Sequence, residues 1–202
     1  MQTRLRLISH ALTAAQRSAT FAGEDEPLDA RGLADANAYA LRAHIRFDDS
    51  RRVRALTSPA ACARDTARAL GLTAAVTAEL ADTHYGEWRH LRVADVAAQA
   101  PQALEAWLHD PAAAPPGGES FEAVLARVGG WLDDLAARHP GDSTVVAVTH
   151  AAVLRAALIH VLRAPASAFT QIEIAPLTSI ELRHHDQHGW KWWPLAQANA
   201  QP

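Results

Sequence analysis

Residues Arg4–Thr13 read RLRLISHALT, an alternation of charged and apolar side chains that reaches a histidine near its end. Leu5, Leu7 and Ile8 predict a buried β-strand. His10 follows where a central strand of an α/β sheet would pass into a loop. Side chains at the carboxyl ends of such strands line the ligand crevice of the fold. His10 is therefore a candidate functional residue.

A second predicted strand has the same ending. Ser143–Thr149, STVVAVT, leads directly into His150, and a helical pattern follows. Either histidine alone is more typical of an ordinary core or loop residue. Two strands that each deliver a histidine to one edge of a sheet indicate a site, so His10 and His150 are expected to lie together.

Length and composition favour one globular domain. With 202 residues and 49% hydrophobic content, the chain can bury a full core, and we expect one domain over 1–202 with a disordered C-terminal end. The net charge of −3 and the dispersed basic residues argue against binding to nucleic acid or to an anionic membrane. The single cysteine, Cys62, excludes an internal disulfide. No signal-peptide pattern or bilayer-length apolar run is present, so the expected location is the cytoplasm.

Strand and helix patterns alternate along most of the chain. Segment 14–26 is weakly periodic and predicts a surface loop, whereas the polar and aromatic residues of 80–91 predict a docked lid. The alternation predicts a three-layer α/β/α sandwich with a mostly parallel sheet and an antiparallel edge. Predicted helices cover 29–46, with Asp29 as N-cap and with Leu33, Ala36, Ala40, Leu41 and Ile45 as the apolar face, then 58–71 with Ser58 as N-cap, 93–99, 101–109, 119–138 and 151–162; predicted strands cover 53–57, 73–78, 144–149 and a terminal hairpin of 178–183 and 190–193.

Several short motifs occur in a characteristic order. After His10 come PLDARG, TSP before a helix, an acid before YGEW, PPGGES, and TH after a late strand. In the order and spacing of these motifs the chain resembles the histidine phosphatase superfamily, which includes cofactor-dependent phosphoglycerate mutase, from about Leu5 to Leu182. The resemblance implies a phosphatase-like hydrolase that acts on a small-molecule phosphoester and needs no organic cofactor.

The resemblance also implies roles for individual residues. His10 matches the nucleophile that takes the phosphoryl group as a phosphohistidine, and His150 matches the histidine that hydrogen-bonds the phosphoryl oxygens. Asp82 matches the carboxyl group that protonates the leaving oxygen and later accepts a proton from water. The further residues assigned to substrate binding are Ser9, Thr13, Cys62, His84, Arg89, Glu119 and Ser120.

The sequence departs from the family pattern at the phosphate pocket. Ser9 and Cys62 stand where the family has arginines, and alanines replace glycines after His150. Loss of one preorganised donor commonly costs about 10²- to 10³-fold in rate, so activity requires other cations. Arg89 and His84 are the expected replacements, because a loop can fold over the crevice.

Two other functions remain open on the sequence alone. One is a catalytically inactive member that uses the pocket for binding or regulation. The other is a transition-metal site formed by His10, Cys62, Asp82 and His150, a credible ligand set that lacks a sequence-adjacent metal motif. The expected partner is a small-molecule substrate or ligand. The tryptophan-rich segment 190–193 would form either a homodimer contact or a strand packed on the protein's own core.

Overall fold

A six-stranded sheet forms the centre of the computed structural model, which describes residues 2–42, 53–138 and 143–194. The first four strands of the chain are parallel to one another, whereas the last two are antiparallel to their neighbours. The predicted mostly parallel sheet with an antiparallel edge is confirmed. These strands are β1 (Gln2–Ser9), β2 (Val53–Thr57), β3 (Ala75–Val76), β4 (Ser143–Thr149), β5 (Ser179–His185) and β6 (Gly189–Trp193), and they lie in the order β3-β2-β4-β1-β5-β6.

Helices cover both faces of this sheet. On one face α6 (Phe121–Arg138) and α7 (Ala151–Leu162) share a core with β1, β4 and β5. On the other face α2 (Ala30–Arg42) and α3 (Ala61–Ala69) pack against β1, β2 and β4. The predicted three-layer α/β/α arrangement is therefore confirmed. The helices are α1 (Ala14–Arg17), α2 (Ala30–Arg42), α3 (Ala61–Ala69), α4 (Val93–Gln99), α5 (Pro101–His109), α6 (Phe121–Arg138) and α7 (Ala151–Leu162), with 3-10 turns at Ala78–Leu80, Gly86–Trp88 and Ala166–Gln171.

Successive side chains of a strand point to opposite faces of the sheet, so β1 contributes to a hydrophobic core on each face. Leu5 and Leu7 of β1 point to the face that α6 and α7 cover, whereas Ile8 points to α3. All three are fully buried. Burial of such a side chain contributes about 1.5–3 kcal/mol relative to its exposed state, so the alternation holds β1 in register between the layers.

The region between β1 and α2 differs from the predicted surface loop. Thr13 caps the short helix α1: its Oγ1 accepts the Gln16 N–H, and the Gln16 side chain accepts the Thr13 N–H. Phe21 is buried against Trp88 and Trp107, which come from distant segments. The prediction is wrong here because the capping box is a very short signal and the aromatic partners lie far away in sequence.

Helix α2 begins as predicted but buries a different face. The Asp29 carboxylate accepts the Gly32 N–H at 2.8 Å, as an N-cap should. Leu33 and Leu41 were predicted to face the core but are 44% and 79% exposed. Helices α2 and α3 share one face of the sheet, so the sheet and α3 cover only part of the apolar side of α2. The predicted end of this helix at Ile45 and Arg46 lies outside the described residues.

The start of α3 and the length of β3 also differ from the prediction. Helix α3 begins at Ala61 with Ala60 as N-cap, not at Ser58, because the Ser58 side chain is turned into the site described below. The predicted strand 73–78 is reduced to β3, Ala75–Val76, whose side chains are exposed at the sheet edge.

The terminal hairpin is confirmed as β5 and β6. Trp190 packs on the core, and its Nε1 donates to the Leu132 carbonyl at 3.1 Å, whereas Trp192 and Trp193 are 50% and 46% exposed. A homodimer through these exposed rings stays a prediction, and the predicted disordered C-terminal end lies outside the described residues. No helix in the described part of the chain is long and apolar enough to cross a bilayer.

Candidate active site

The two histidines meet at the carboxyl ends of the two central parallel strands. Ser9 is paired with Thr149 across β1 and β4, and the His10 N–H donates to the Thr149 carbonyl at 2.8 Å. His10 and His150 each follow the last residue of a strand, so both rings enter the same crevice. Their ring centroids are 5.0 Å apart with an interplanar angle of 66°. The juxtaposition expected from the two strand endings is observed.

Hydrogen bonding orients the His10 ring. Its Nδ1 lies 2.7 Å from the Ala11 carbonyl, which can only accept, so the neutral ring carries its proton on Nδ1 and its lone pair on Nε2. Burial lowers the pKa of His10, against the opposing effects of the Ala11 carbonyl and the Asp82 charge. The imidazole is therefore neutral near pH 7, with Nε2 available as a nucleophile.

His150 is held through its other nitrogen. Its Nε2 lies 2.8 Å from the Ser58 hydroxyl, which also accepts the Ala60 N–H. Nδ1 is buried without a hydrogen bond and lies 3.4 Å from an Asp82 carboxylate oxygen. Burial lowers the pKa of His150 to about 4, although the nearby Asp82 carboxylate opposes this effect. His150 thus presents a neutral, unpartnered ring nitrogen to the site.

Asp82 lies at the start of the predicted lid. The preceding 3-10 turn is anchored by the Thr149 hydroxyl, which donates to the Leu80 carbonyl at 2.6 Å. The Tyr85 hydroxyl is 3.4 Å from an Asp82 oxygen and donates to it. Burial raises the pKa of Tyr85 well above its usual value, and the Asp82 charge adds to the rise, so this phenol stays protonated as a donor.

Cys62 brings a thiol to the two imidazoles. It lies in the first turn of α3, which is tied to the loop after β1 because Thr66 accepts the Ala11 N–H and donates to the Cys62 carbonyl. Burial, with a smaller contribution from the Asp82 carboxylate, raises the pKa of the thiol to about 12. One ligand atom from each of His10, Cys62 and His150 lies within 4.8 Å of the others.

Two cavities meet at these residues. The smaller, about 110 Å³, contains Cys62 and His150, and the larger, about 410 Å³, extends toward α5 and α7. His10 and Asp82 line both cavities. The larger cavity has an aromatic wall formed by Tyr85, Trp107, Phe121 and Phe169. The nucleophile and the candidate acid therefore lie at the junction between a compact pocket and a wider one with an aromatic wall.

The lid supplies positive charge to the smaller cavity. Thr13, His84 and Arg89 line it together with Cys62, and their assignment to substrate binding stays a prediction. A guanidinium nitrogen of Arg89 lies 2.9 Å from His84 Nε2. Trp88 is 4% exposed in a small core with Phe21, so the lid is docked as predicted.

The remaining predicted substrate residues lie outside the two cavity linings. The Ser9 hydroxyl donates to the Ala175 carbonyl at 2.7 Å and accepts the Thr178 N–H at 3.0 Å, so it links β1 to the segment before β5. Ser120 accepts the Ala123 N–H at the start of α6. The assignment of both residues to substrate binding stays a prediction.

Glu119 also lies outside the two cavity linings. Its carboxylate accepts two hydrogen bonds from Arg127, at 3.1 and 2.9 Å. Arg127 also donates to the carbonyls of Glu79 and Ala81, directly before Asp82. Through Arg127, Glu119 therefore helps to position the backbone that carries Asp82, and its assignment to substrate binding stays a prediction.

Sequence reasoning missed several residues of the site. Ser58 was interpreted as a helix cap, and no expectation was attached to Arg155, which lines the larger cavity and donates from Nε to the Ile172 carbonyl at 2.7 Å. Arg155 lies four residues after Ala151, the first residue that follows His150. Because residues four apart share one face of a helix, this spacing was the available signal. Gln16, which lines both cavities, belongs to the unpredicted helix α1.

Comparisons with known proteins agree with this architecture. Residues 5–195 match the model of the histidine phosphatase superfamily (branch 1). A bifunctional protein of Mycobacterium tuberculosis is 33% identical over 154 residues, which are 73% of this chain and 41% of that protein, so the chain spans about two fifths of the length of this curated relative.

Solved structures of similar size give a fuller overlap. A structure titled mycobacterial hydrolase 1 superposes with a TM-score of 0.83 at 28% identity, over 96% of this chain and 98% of that chain. Mycobacterial glucosyl-3-phosphoglycerate phosphatase superposes with a TM-score of 0.81 at 27% identity, over 95% of this chain and 97% of that chain. That phosphatase has also been solved with VO3 and with inorganic phosphate.

Proposed function

Because the chain belongs to the histidine phosphatase superfamily, we propose that it is a phosphatase-type hydrolase that acts on a small-molecule phosphoester through a phosphohistidine at His10. The observation that carries the proposal is the orientation of His10. Its Nδ1–H is bound to the Ala11 carbonyl, and the free Nε2 lies in a crevice bordered by Asp82 and His150. A neutral, fixed imidazole is the nucleophile that this chemistry requires.

The two steps use the residues at the cavity junction. In the first step His10 Nε2 attacks phosphorus, the bond from phosphorus to the ester oxygen breaks, and the Asp82 carboxyl group donates its proton to that oxygen. In the second step water attacks the phosphohistidine and gives its proton to Asp82, which releases inorganic phosphate and restores His10. In the neutral tautomer whose Nε2 accepts from the Ser58 hydroxyl, the Nδ1–H of His150 would donate to a phosphoryl oxygen.

Asp82 is well placed for both proton transfers. It lines both cavities, so a phosphoryl group in the smaller cavity and a leaving group in the larger one would meet beside its carboxyl group. The aromatic wall of the larger cavity favours an organic leaving group with an apolar surface, and Arg155 offers a positive charge there. Glucosyl-3-phosphoglycerate, the substrate in the name of one solved relative, is one test compound with a bulky organic leaving group.

The phosphoryl charge would be balanced from the lid. The Ser9 hydroxyl is hydrogen-bonded to the Ala175 carbonyl, and the Cys62 thiol is neutral. Neither side chain therefore supplies a positive charge to the phosphoryl group. Arg89 lines the smaller cavity and is held beside His84. Preorganised donors of this kind stabilise the equatorial oxygens of a phosphoryl group in transfer. We assign this role to Arg89.

The nucleophile is tested with an aryl phosphate and an alkyl phosphate. Wild-type protein should turn over both and form a phosphoprotein that is stable to base and labile to acid, as a phosphoramidate is. His10→Ala should abolish turnover and the phosphoprotein, whereas His188→Ala, in the turn between β5 and β6, should change neither. Unchanged turnover in His10→Ala, or a phosphoryl group on another residue, would contradict the proposal.

The proton donor is tested by leaving-group dependence. An aryloxide departs without protonation, but an alkoxide needs a proton. Asp82→Asn should therefore lower turnover of the alkyl phosphate by about 10²- to 10⁴-fold and that of the aryl phosphate by much less. An equal loss for both substrates would show that Asp82 does not protonate the leaving oxygen.

The lid cation is tested separately. Arg89→Ala should lower kcat/KM by about 10²- to 10³-fold, the cost of one preorganised donor, and Arg89→Lys should restore part of this loss. Arg92→Ala, an exposed arginine on the same segment, is the matched control. If Arg89→Ala and Arg92→Ala behave alike, the charge is supplied elsewhere.

A further inference from the structure

The smaller cavity ends at three side chains whose chemistry differs from that of an anion pocket. His10, Cys62 and His150 each present one ligand atom, and these atoms lie within 4.8 Å of one another. All three residues are buried. Among the described residues, no other group of histidine, cysteine and acidic side chains comes together in this way. Two imidazoles and a thiol are donors that zinc binds in proteins.

The hydrogen bonds of the two histidines leave one nitrogen of each ring free for a ligand. His10 donates from Nδ1 to the Ala11 carbonyl, and a proton on His150 Nε2 would be donated to the Ser58 hydroxyl. The opposite nitrogens, His10 Nε2 and His150 Nδ1, then carry lone pairs, and His150 Nδ1 is buried without a hydrogen bond. Metal-binding histidines characteristically donate their second ring N–H to a carbonyl or another oxygen acceptor.

The presence of Cys62 favours a metal ion over an anion as the ligand of this site. A neutral thiol adds no positive charge and only a weak donor to a phosphate pocket, but as a thiolate it is a strong ligand for a soft or borderline metal. We propose that His10, Cys62 and His150 bind one thiophilic divalent transition-metal ion, with Zn²⁺ as the expected ion. Asp82, whose carboxylate lies 3.4 Å from His150 Nδ1, is close enough to supply a further oxygen ligand.

Binding would exchange a proton for the metal. The Cys62 sulfur releases its proton to solvent as the sulfur–metal bond forms, and the two imidazoles bind through lone pairs without proton release. The ion would occupy the lone pair of His10 Nε2. If His10 is the nucleophile, a consequence that rests on the proposed function, the metal-bound protein is inactive and a chelator restores its turnover.

The site is tested first with Co²⁺, because its spectrum reports the ligands directly. Metal-free wild-type protein should bind one Co²⁺ and show sulfur-to-cobalt charge-transfer absorption, which Zn²⁺ should remove by displacement. Cys62→Ser should lose this absorption. Ser58→Ala, which removes the hydroxyl that orients His150, should weaken binding by about 10- to 100-fold.

Matched controls separate this site from adventitious binding at surface histidines. His188→Gln alters the histidine-rich turn of the terminal hairpin, and it should leave both the absorption and the affinity unchanged. Absence of charge-transfer absorption, or equal affinity in Cys62→Ser and wild type, would overturn the proposal. The absorption spectrum does not depend on turnover, so it tests metal binding even if the protein has no phosphatase activity. In that case only the predicted inhibition by the metal is refuted.

Discussion

Burial of His150 makes the stability of the fold depend on pH in a defined window. The imidazole has an ordinary pKa of 6.5, and burial lowers the pKa of His150 to about 4 in the folded protein. Between these values the unfolded chain binds a proton that the folded chain does not bind. The free energy of unfolding must therefore fall as the pH falls from 6.5 toward 4.

The size of this effect follows from the same two values. One pKa unit corresponds to about 1.4 kcal/mol, so the full shift represents roughly 3 kcal/mol below pH 4. Between pH 7 and pH 5 the contribution of His150 amounts to about 2 kcal/mol. Titration of carboxylates adds to the acid sensitivity, so the effect of His150 has to be isolated by a variant.

His150→Gln isolates the effect because glutamine retains a polar group that can reach Ser58 but does not titrate. Urea unfolding of chelator-treated wild type and variant at pH 7, 6 and 5 gives both free energies of unfolding. The difference between them should shift by about 2 kcal/mol in favour of the variant from pH 7 to pH 5. His188→Gln, on the hairpin turn, should follow wild type at every pH.

A difference that stays constant from pH 7 to pH 5 would refute the assignment of a lowered pKa to His150. If His150→Gln does not fold, the ring itself is followed by NMR in the wild-type protein. The imidazole of His150 should then remain neutral at pH 5, and half-protonation near pH 6.5 would contradict the reasoning in the same way.

Four further outcomes test the packing of α6 and the burial of Cys62. Leu132→Ala should destabilise the protein by about 2–5 kcal/mol in urea unfolding, because this side chain is fully buried in the core of α6 and α7. Gly130→Ala, which adds a methyl group in open space on a helix, should stabilise the protein by roughly 0.5–1 kcal/mol. Gly129→Ala should destabilise it, because the new methyl carbon would lie 2.6 Å from a ring nitrogen of His160, and equal melting temperatures for the two alanine variants would contradict this. Native Cys62 should react with iodoacetamide at pH 8 much more slowly than in urea, since burial raises its pKa to about 12, and equal rates would show an accessible thiolate.

The segment that contains Glu119 shows that the place of a motif can be predicted while the direction of its side chains cannot. PPGGES was expected near the substrate, and the segment does lie beside the lid, where the Glu119 N–H donates to the His84 carbonyl. The Glu119 side chain, however, is paired with Arg127 on the helix that follows it, α6. Proximity follows from the order of the elements, whereas the direction of a side chain depends on which partner the folded chain brings to it.

Local patterns in the sequence were sufficient to predict the sheet, most helices and the two histidines of the site. Their period is set by the strand or helix itself, and parallel strands necessarily end at one edge, so His10 and His150 were expected to meet. Convergence of Cys62 with the two histidines was expected through the family resemblance alone. Only the tertiary structure decided that Ser58 orients His150 and that the thiol is buried, because these relations join residues distant in sequence. The free nitrogen of His10 is set by a contact with the adjacent Ala11 carbonyl, whose direction depends on the folded backbone and not on a sequence pattern.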